Sequence, residues 1–304
     1  MDHVNHHHPD YDRHIDRWRK CRDFSDGQNA VRTAGERYLR KNGAEELKDY
    51  EARVSRSDLY NATWATLKTL RGMMFRKEPT SDLPVGLASY FNDIDAAGTS
   101  LRTFARTVAL EVLGVGRVGI MVDHPPRMEA APISLRVAES MGLRPTIQMY
   151  RAESIINWAT QRIGNRTVLS LVVLQEQAEV RENEFKAKMV DQWRVLDLDE
   201  RGFYRQRLFQ KADGNGTQFV QIGADIFPTL NNAPMTEIPF YILGTDGIDP
   251  KCDEPPLIDL VDANEAHYQV NSDLRTTLHF GVPTFCISGY VPEEGEVIAV
   301  GSRT

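Results

Sequence analysis

A chain of 304 residues has room for about two domains. At this size folding buries on the order of 75% of the surface the unfolded chain exposes, so neither a disulfide staple nor a structural metal is required. With 41% hydrophobic and 26% charged residues the composition excludes disordered and fibrous classes, and no run approaches the roughly 18 apolar residues of a membrane-spanning helix.

The longest uncharged apolar run, Val168 to Leu174, is the size of a strand. The first ten residues, MDHVNHHHPD, lack the apolar core of a signal peptide. Cys21, Cys252 and Cys286 are an odd, widely spaced set without a CxxC pair, which argues against a disulfide framework or a zinc site and fits a reducing compartment. The net charge of -7 is concentrated: residues 248–304 hold ten acidic and three basic side chains, and the first 247 residues balance. A strongly acidic C-terminal fifth is a poor grip for nucleic-acid phosphates.

Residues 1–10 read as a flexible polar tail. From Tyr11 to about Phe75 the pattern is helical, and Tyr60, Trp64, Leu67, Leu70 and Met74 recur at three- and four-residue steps, a stripe expected in the core. Lys77, Pro79 and Pro84 close this block, and Ser100 opens a further helix with Phe104, Val108 and Val112 on its inner face. Beyond Gly119 the period shortens. Strands are expected at Ile120–Val122, Thr146–Tyr150, Thr167–Gln175, Lys188–Leu198, Phe203–Gln210, Thr217–Ile222 and Ile238–Leu243, with DERG at 199–202 and DGNG at 213–216 as hairpin loops, giving an antiparallel meander. Residues 245–256 are a linker rich in Asp and Pro, ahead of a last helix over residues 257–281. Short strands are expected at Thr284–Ser288 and Glu296–Val300. A lone strand leading into a turn leaves backbone groups unsatisfied, so the chain is expected to continue past Thr304.

Gly114, Gly116 and Gly119 match the G-x-G-x-x-G spacing of dinucleotide-binding turns. That fingerprint requires a strand before it and a helix after it, whereas here a helix leads through the glycines into a strand. A glycine cap and a close-packed strand entry account for the pattern. Five of eight histidines, His3, His6, His7, His8 and His14, lie within the first fourteen residues; without rigid geometry and supporting partners they point to adventitious metal affinity rather than a site. His124 sits in a turn, and His267 and His279 on the last helix. No nucleophile elbow, P-loop or HExxH motif occurs, so no catalytic residue, cofactor or metal is assigned.

The last helix carries two lines at helical spacing. Leu257, Leu260, Asn264, His267, Asn271, Leu274 and Leu278 form a heptad seam with a polar middle, which implies a partner helix. Asp259, Asp262, Glu265, Gln269 and Asp273 form an acidic line with little basic compensation.

Three stretches in order, GQNAVRTAGERYLRKNGAEELKDYEARVSRSDLYNATWATLKTLRGMMFRKEP, LRTFARTVALEVLGVGRVGIMVDHP, and EIPFYILGTD followed by PPLIDLVDANEAHYQVNSDLRTTLHFGVPTFCISG, resemble the portal proteins of tailed double-stranded DNA bacteriophages, in a branch described as a portal-like domain. The resemblance implies an α+β fold in which residues 11–244 form a wing (helical over 11–119, β-rich over 120–244). Residues 257–281 would be a stem helix, and residues 282–304 the start of a clip-like region, with the remaining clip, a second stem helix, a tunnel loop and a crown to follow. It implies a non-enzymatic head-tail connector subunit, a ring of about a dozen copies closed by head-to-tail contacts, and a place at the portal vertex of the virion after assembly in host cytoplasm. The partners it implies are the terminase motor, major capsid and scaffolding proteins, a head-tail adaptor, and double-stranded DNA passing without sequence-specific binding; no membrane is involved. Asp259, Asp262, Glu265 and Asp273 would face the channel, where like charge keeps a polyanion from sticking, and the heptad seam would pack against neighbouring subunits. Two other classes compete: another virion ring such as a head-tail adaptor, and a nucleotide-dependent or metal-dependent enzyme that would need the glycine triplet or the histidines.

Overall fold

Proline lacks the backbone donor that a first helical turn leaves unpaired, and the first helix, α1 (Pro9–Asp26), begins on one. The computed structural model describes residues 4–77, 84, 87, 90–123, 144–212, 218–230 and 233–281. After α1 come α2 (Gln28–Ala34) with a 3-10 turn at Gly35–Arg37, α3 (Leu47–Arg56), α4 (Ala62–Met74) and α5 (Leu101–Val115). Among the described residues ten strands follow: β1 (Arg117–Asp123), β2 (Thr146–Arg151), β3 (Ile155–Ile163), β4 (Arg166–Arg181), β5 (Ala187–Leu198), β6 (Tyr204–Lys211), β7 (Phe219–Ile226), β8 (Thr229–Leu230), β9 (Ala233–Pro234) and β10 (Phe240–Gly244). The last helix, α6, spans Ile258–Phe280. The fold is a mixture of helices and antiparallel sheet, α+β as expected.

Two compact units share the chain. One takes in residues up to Arg19 and from Thr69 to Pro256; the other takes in Lys20–Lys68 and the chain from Leu257 on. This partition differs from the expected continuous 11–244 wing: the helices over 20–68 belong with α6, because their apolar faces, Cys21, Phe24, Val31, Tyr38 and Leu39, share a core with Val261 and Tyr268. The break before Leu257 coincides with the end of the expected linker.

In the first unit β1 is central to a three-stranded antiparallel sheet, order β10-β1-β2, and β3 to β7 form a five-stranded antiparallel meander. Apolar residues of both sheets and of the first turns of α1, among them Trp18, Met121, Ile155, Trp158, Leu174, Trp193 and Phe240, make one core. A polar chain is buried with it. Glu176 on β4 accepts from Arg194 on β5 (Nε to Oε1, 2.7 Å) and from the Tyr150 hydroxyl on β2 (2.7 Å). Arg194 also donates to Gln206 on β6, which donates to Asp123 on β1. Every member has a partner, so the network specifies which strands face each other without leaving an orphaned charge.

The glycine pattern folds as its spacing implied. Ser100 caps α5, its hydroxyl accepting from the Thr103 N–H. Gly114 is helical, Gly116 ends the helix in the left-handed region at φ 84°, and Gly119 lies within β1. A Cβ on Gly119 would fall 2.3 Å from Phe240 Cζ and 2.9 Å from Ile155 Cδ1.

Other expectations are corrected. Residues 4–8 are not a loose tail, since Val4 packs on the core and the His8 N–H donates to the Ile156 carbonyl at 2.9 Å. The Tyr60 to Met74 stripe is not core: Leu67 is buried, whereas Tyr60, Trp64 and Met74 are exposed, and the inward position is Thr63. Strand β3 was not foreseen, because Ile155–Ile163 mixes apolar and polar residues without clean alternation. Strand β4 runs to Arg181 rather than Gln175, its outer end pairing with β5 alone. His124, the DGNG loop and the clip-like region at 282–304 with its two strands lie outside the described residues.

Because Phe240 and Ile155 must move to admit even a methyl group, Gly119→Ala is expected to destabilise the β-rich unit by about 1–3 kcal/mol. Urea unfolding followed by far-UV circular dichroism measures it.

Candidate functional site

Helix α6 and its N-cap residue Leu257 carry every candidate position, and within its own unit the helix shows three faces. The buried face is Val261, Asn264, Tyr268 and Ser272, at steps of three and four residues. Val261 and Tyr268 fill the core with the helices of residues 20–56. Ser272 accepts from Arg53 Nη1 at 3.4 Å; that guanidinium is itself buried and forks onto Glu45 through Nε and Nη2, both at 2.8 Å. Of the predicted seam only Asn264 lies on this face. Val261, Tyr268 and Ser272 were missed because the leucines marked a neighbouring stripe; the seven-residue step from Val261 to Tyr268 was the signal that could have found them.

The polar middle of the seam has partners inside the chain. Asn264 Oδ1 accepts from the Thr63 N–H at 3.2 Å and from its hydroxyl at 3.1 Å, and Nδ2 donates to the Tyr60 carbonyl at 2.8 Å. Thr63 lies in the first turn of α4, where backbone N–H groups have no helical acceptor, so the amide serves as a cap supplied from another helix. Asn61 Oδ1 caps the same turn by accepting from the Trp64 N–H. Asn271 Oδ1 accepts from the Asp58 N–H at 3.1 Å, and Arg275 pairs with the Asp58 carboxylate. The two asparagines, expected to pack against a neighbouring subunit, hold residues 58–63 of their own chain.

Flanking these residues is an exposed apolar edge. His267 faces Tyr60, ring centroids 6.4 Å apart, and Val270, Leu274 and Leu278 are 65%, 54% and 63% exposed. Leu257 and Leu260 are half-buried. His279 lies in the last turn of the helix.

The acidic line is not free of counter-charge. Lys20, on α1, donates to Asp262 Oδ1 at 2.6 Å and pairs with Glu265 as well. Burial lowers the affinity of this ammonium for its proton, but the hydrogen bonds to the two carboxylates outweigh it and the Lys20 pKa is raised. Gln269 donates to the Tyr38 carbonyl and to Glu265. Asp259 and Asp273 are exposed at the two ends of the line. Among the described residues no group of three or more His, Cys, Asp or Glu side chains is placed to hold a metal ion, and no helix is long and apolar enough to cross a membrane.

A family model described as a domain of unknown function (DUF4055) matches residues 256–304, which take in α6 and the segment after it. Among curated proteins none matches the chain.

Two predictions follow from these contacts. Asn264→Ala leaves the Thr63 N–H and the Tyr60 carbonyl without their partner, and is expected to cost about 1–3 kcal/mol in chemical unfolding. Glu265→Lys places a second ammonium against Lys20, so its melting temperature is expected to fall further than that of Asp259→Lys, which pairs with no basic side chain among the described residues; differential scanning calorimetry compares the two.

Proposed function

We propose that this chain is the wing-and-stem part of a portal-like subunit of a tailed double-stranded DNA bacteriophage, a non-enzymatic structural protein whose copies associate through α6 into a ring that passes DNA. The observation that carries the reading is the apolar edge of α6. Val270, Leu274 and Leu278 follow one another at helical spacing and all lie open to solvent, while the opposite side of the same helix is fully packed. A contiguous apolar edge on an otherwise satisfied helix is a surface in want of a partner, and in a homo-oligomer a head-to-tail contact that closes gives a ring.

Other features support it. The order of parts, helices, an antiparallel meander, a Pro-rich crossing and then a long helix, is compatible with the arrangement that the resemblance implies. The helix order around Gly114 to Gly119 turns the negative end of the α5 dipole toward those glycines, the wrong polarity for a pyrophosphate, and so disfavours the nucleotide-dependent enzyme. In the portal reading Asp259 and Asp273 carry the lumenal charge, and Asp262 and Glu265 contribute less, because Lys20 offsets them.

Mass photometry of the protein before and after Leu274→Lys combined with Leu278→Lys tests the reading. Closed rings of about a dozen copies are expected from the intact subunit to which this chain would belong, and loss of the rings with unchanged circular dichroism from its double variant, whereas residues 1–304 alone are expected to be monomeric or heterogeneous. An intact subunit that stays monomeric at micromolar concentration, a double variant that assembles like it, or a uniform ring from residues 1–304 alone rules the proposal out.

A further inference from the structure

The N-terminal histidines have no part in that function, but His8 has a built environment within the β-rich unit. Its backbone N–H donates to the Ile156 carbonyl on β3 at 2.9 Å. The imidazole lies on the indole of Trp158 with centroids 4.1 Å apart and planes inclined by 16°. Its Nδ1 accepts the Asp10 N–H at 3.1 Å. The Arg117 guanidinium stands over the same indole, its carbon 4.2 Å from the ring centroid.

This arrangement takes a neutral imidazole. A proton on Nδ1 removes the lone pair that accepts the Asp10 N–H, and it adds a second cation beside an arginine that has no exposed surface. The carboxylate nearest to the ring, Asp10, has Oδ2 3.8 Å from Nδ1 and is already engaged by Arg13 at 2.9 Å. The charged groups around the site are Asp10 and Arg13 from α1 and Arg117 from β1, with Asp249 and Asp253 close to Arg117. Strand β3 contributes only Trp158 and the Ile156 carbonyl. His7 turns to Tyr11 and Asp12 instead.

We propose that His8 is a pH-sensitive latch: neutral, it holds the segment ahead of α1 on strand β3, and protonated, it releases that segment. The direction of its titration agrees with the geometry. Burial lowers the His8 pKa from the ordinary 6.5, and Arg117 adds to the lowering against the opposing pull of Asp10. A base whose folded pKa is depressed stabilises the docked form fully above the ordinary value, and that stabilisation is lost as pH falls from there through the lowered value.

Side-chain NMR of the full chain between about pH 8 and pH 5, with hydrogen exchange of the His8 amide, tests the latch. His8 is expected to titrate below the ordinary 6.5. Protection of the His8 amide, corrected for intrinsic exchange, is expected to fall by up to about tenfold per pH unit between the two pKa values. His8→Phe keeps a ring for the indole and takes no proton, so its protection is expected to be flat over the same range. A His8 that titrates at or above the ordinary 6.5 overturns the proposal. So does protection in the parent that does not change with pH, or a His8→Phe protein with the parent's pH slope, which would assign the transition to another group.

Discussion

Arg117 is wholly buried, and segment 250–252 and the Trp18 and Trp158 rings gather around its guanidinium, of which Nη1 is hydrogen-bonded while Nε and Nη2 have no hydrogen-bond partner among the described residues. Moving a guanidinium out of water costs several kcal/mol unless hydrogen bonds and polarisable neighbours replace the solvent. Here Nη1 is shared among the Pro250 and Lys251 carbonyls, both at 2.9 Å, and Cys252 Sγ at 3.1 Å, and the group lies against the Trp158 and Trp18 rings. Burial lowers its pKa, and the Asp253, Asp10 and Asp249 carboxylates oppose that. The same burial raises the Cys252 thiol to about 11, so this cysteine is a protonated packing element and not a nucleophile.

The consequence is local order where composition alone reads as a loose linker. Arg117 ties down 250–252, and Asp253 Oδ2 accepts from the Thr245 N–H and hydroxyl and from the Asp246 N–H. On the other side Gly116 lets the end of α5 approach this segment, because a Cβ there would sit 3.1 Å from Pro255 Cα in a backbone region that side chains avoid. The stretch that delivers the chain to α6 is therefore pinned by the residues that begin β1. His8 borrows the Trp158 surface beside Arg117, so the charge that orders the linker also biases the protonation of the N-terminal segment.

On α6 the polar residues divide by what they can reach. Asn264, Asn271 and Ser272 are spent on backbone and side-chain groups of the same chain, and Lys20 is spent on Asp262 and Glu265. On the described part of the chain the Val270, Leu274 and Leu278 edge and the side chains of Asp259 and Asp273 are exposed. Self-association through the first and a repelled polyanion at the second are the uses proposed for them.

Much of this was legible from residue order. Gly116 as a helix cap, Ser100 as a helix start, the DERG hairpin, the β5 and β6 strands and the extent of α6 follow from local rules, since caps, turns and periodicity are energies paid within a few residues. Tertiary structure alone decided which stripe of α6 is inside. Leu257 to Leu278 and Val261 to Ser272 both satisfy helical spacing, and the choice rests on a complementary surface, the Cys21 to Leu39 apolar cluster, that lies more than two hundred residues away in the chain. The same holds for the acidic line: its spacing was visible, but Lys20 reaches it only after α1 has folded against α6, and a charge's environment is a property of space rather than of order along the chain.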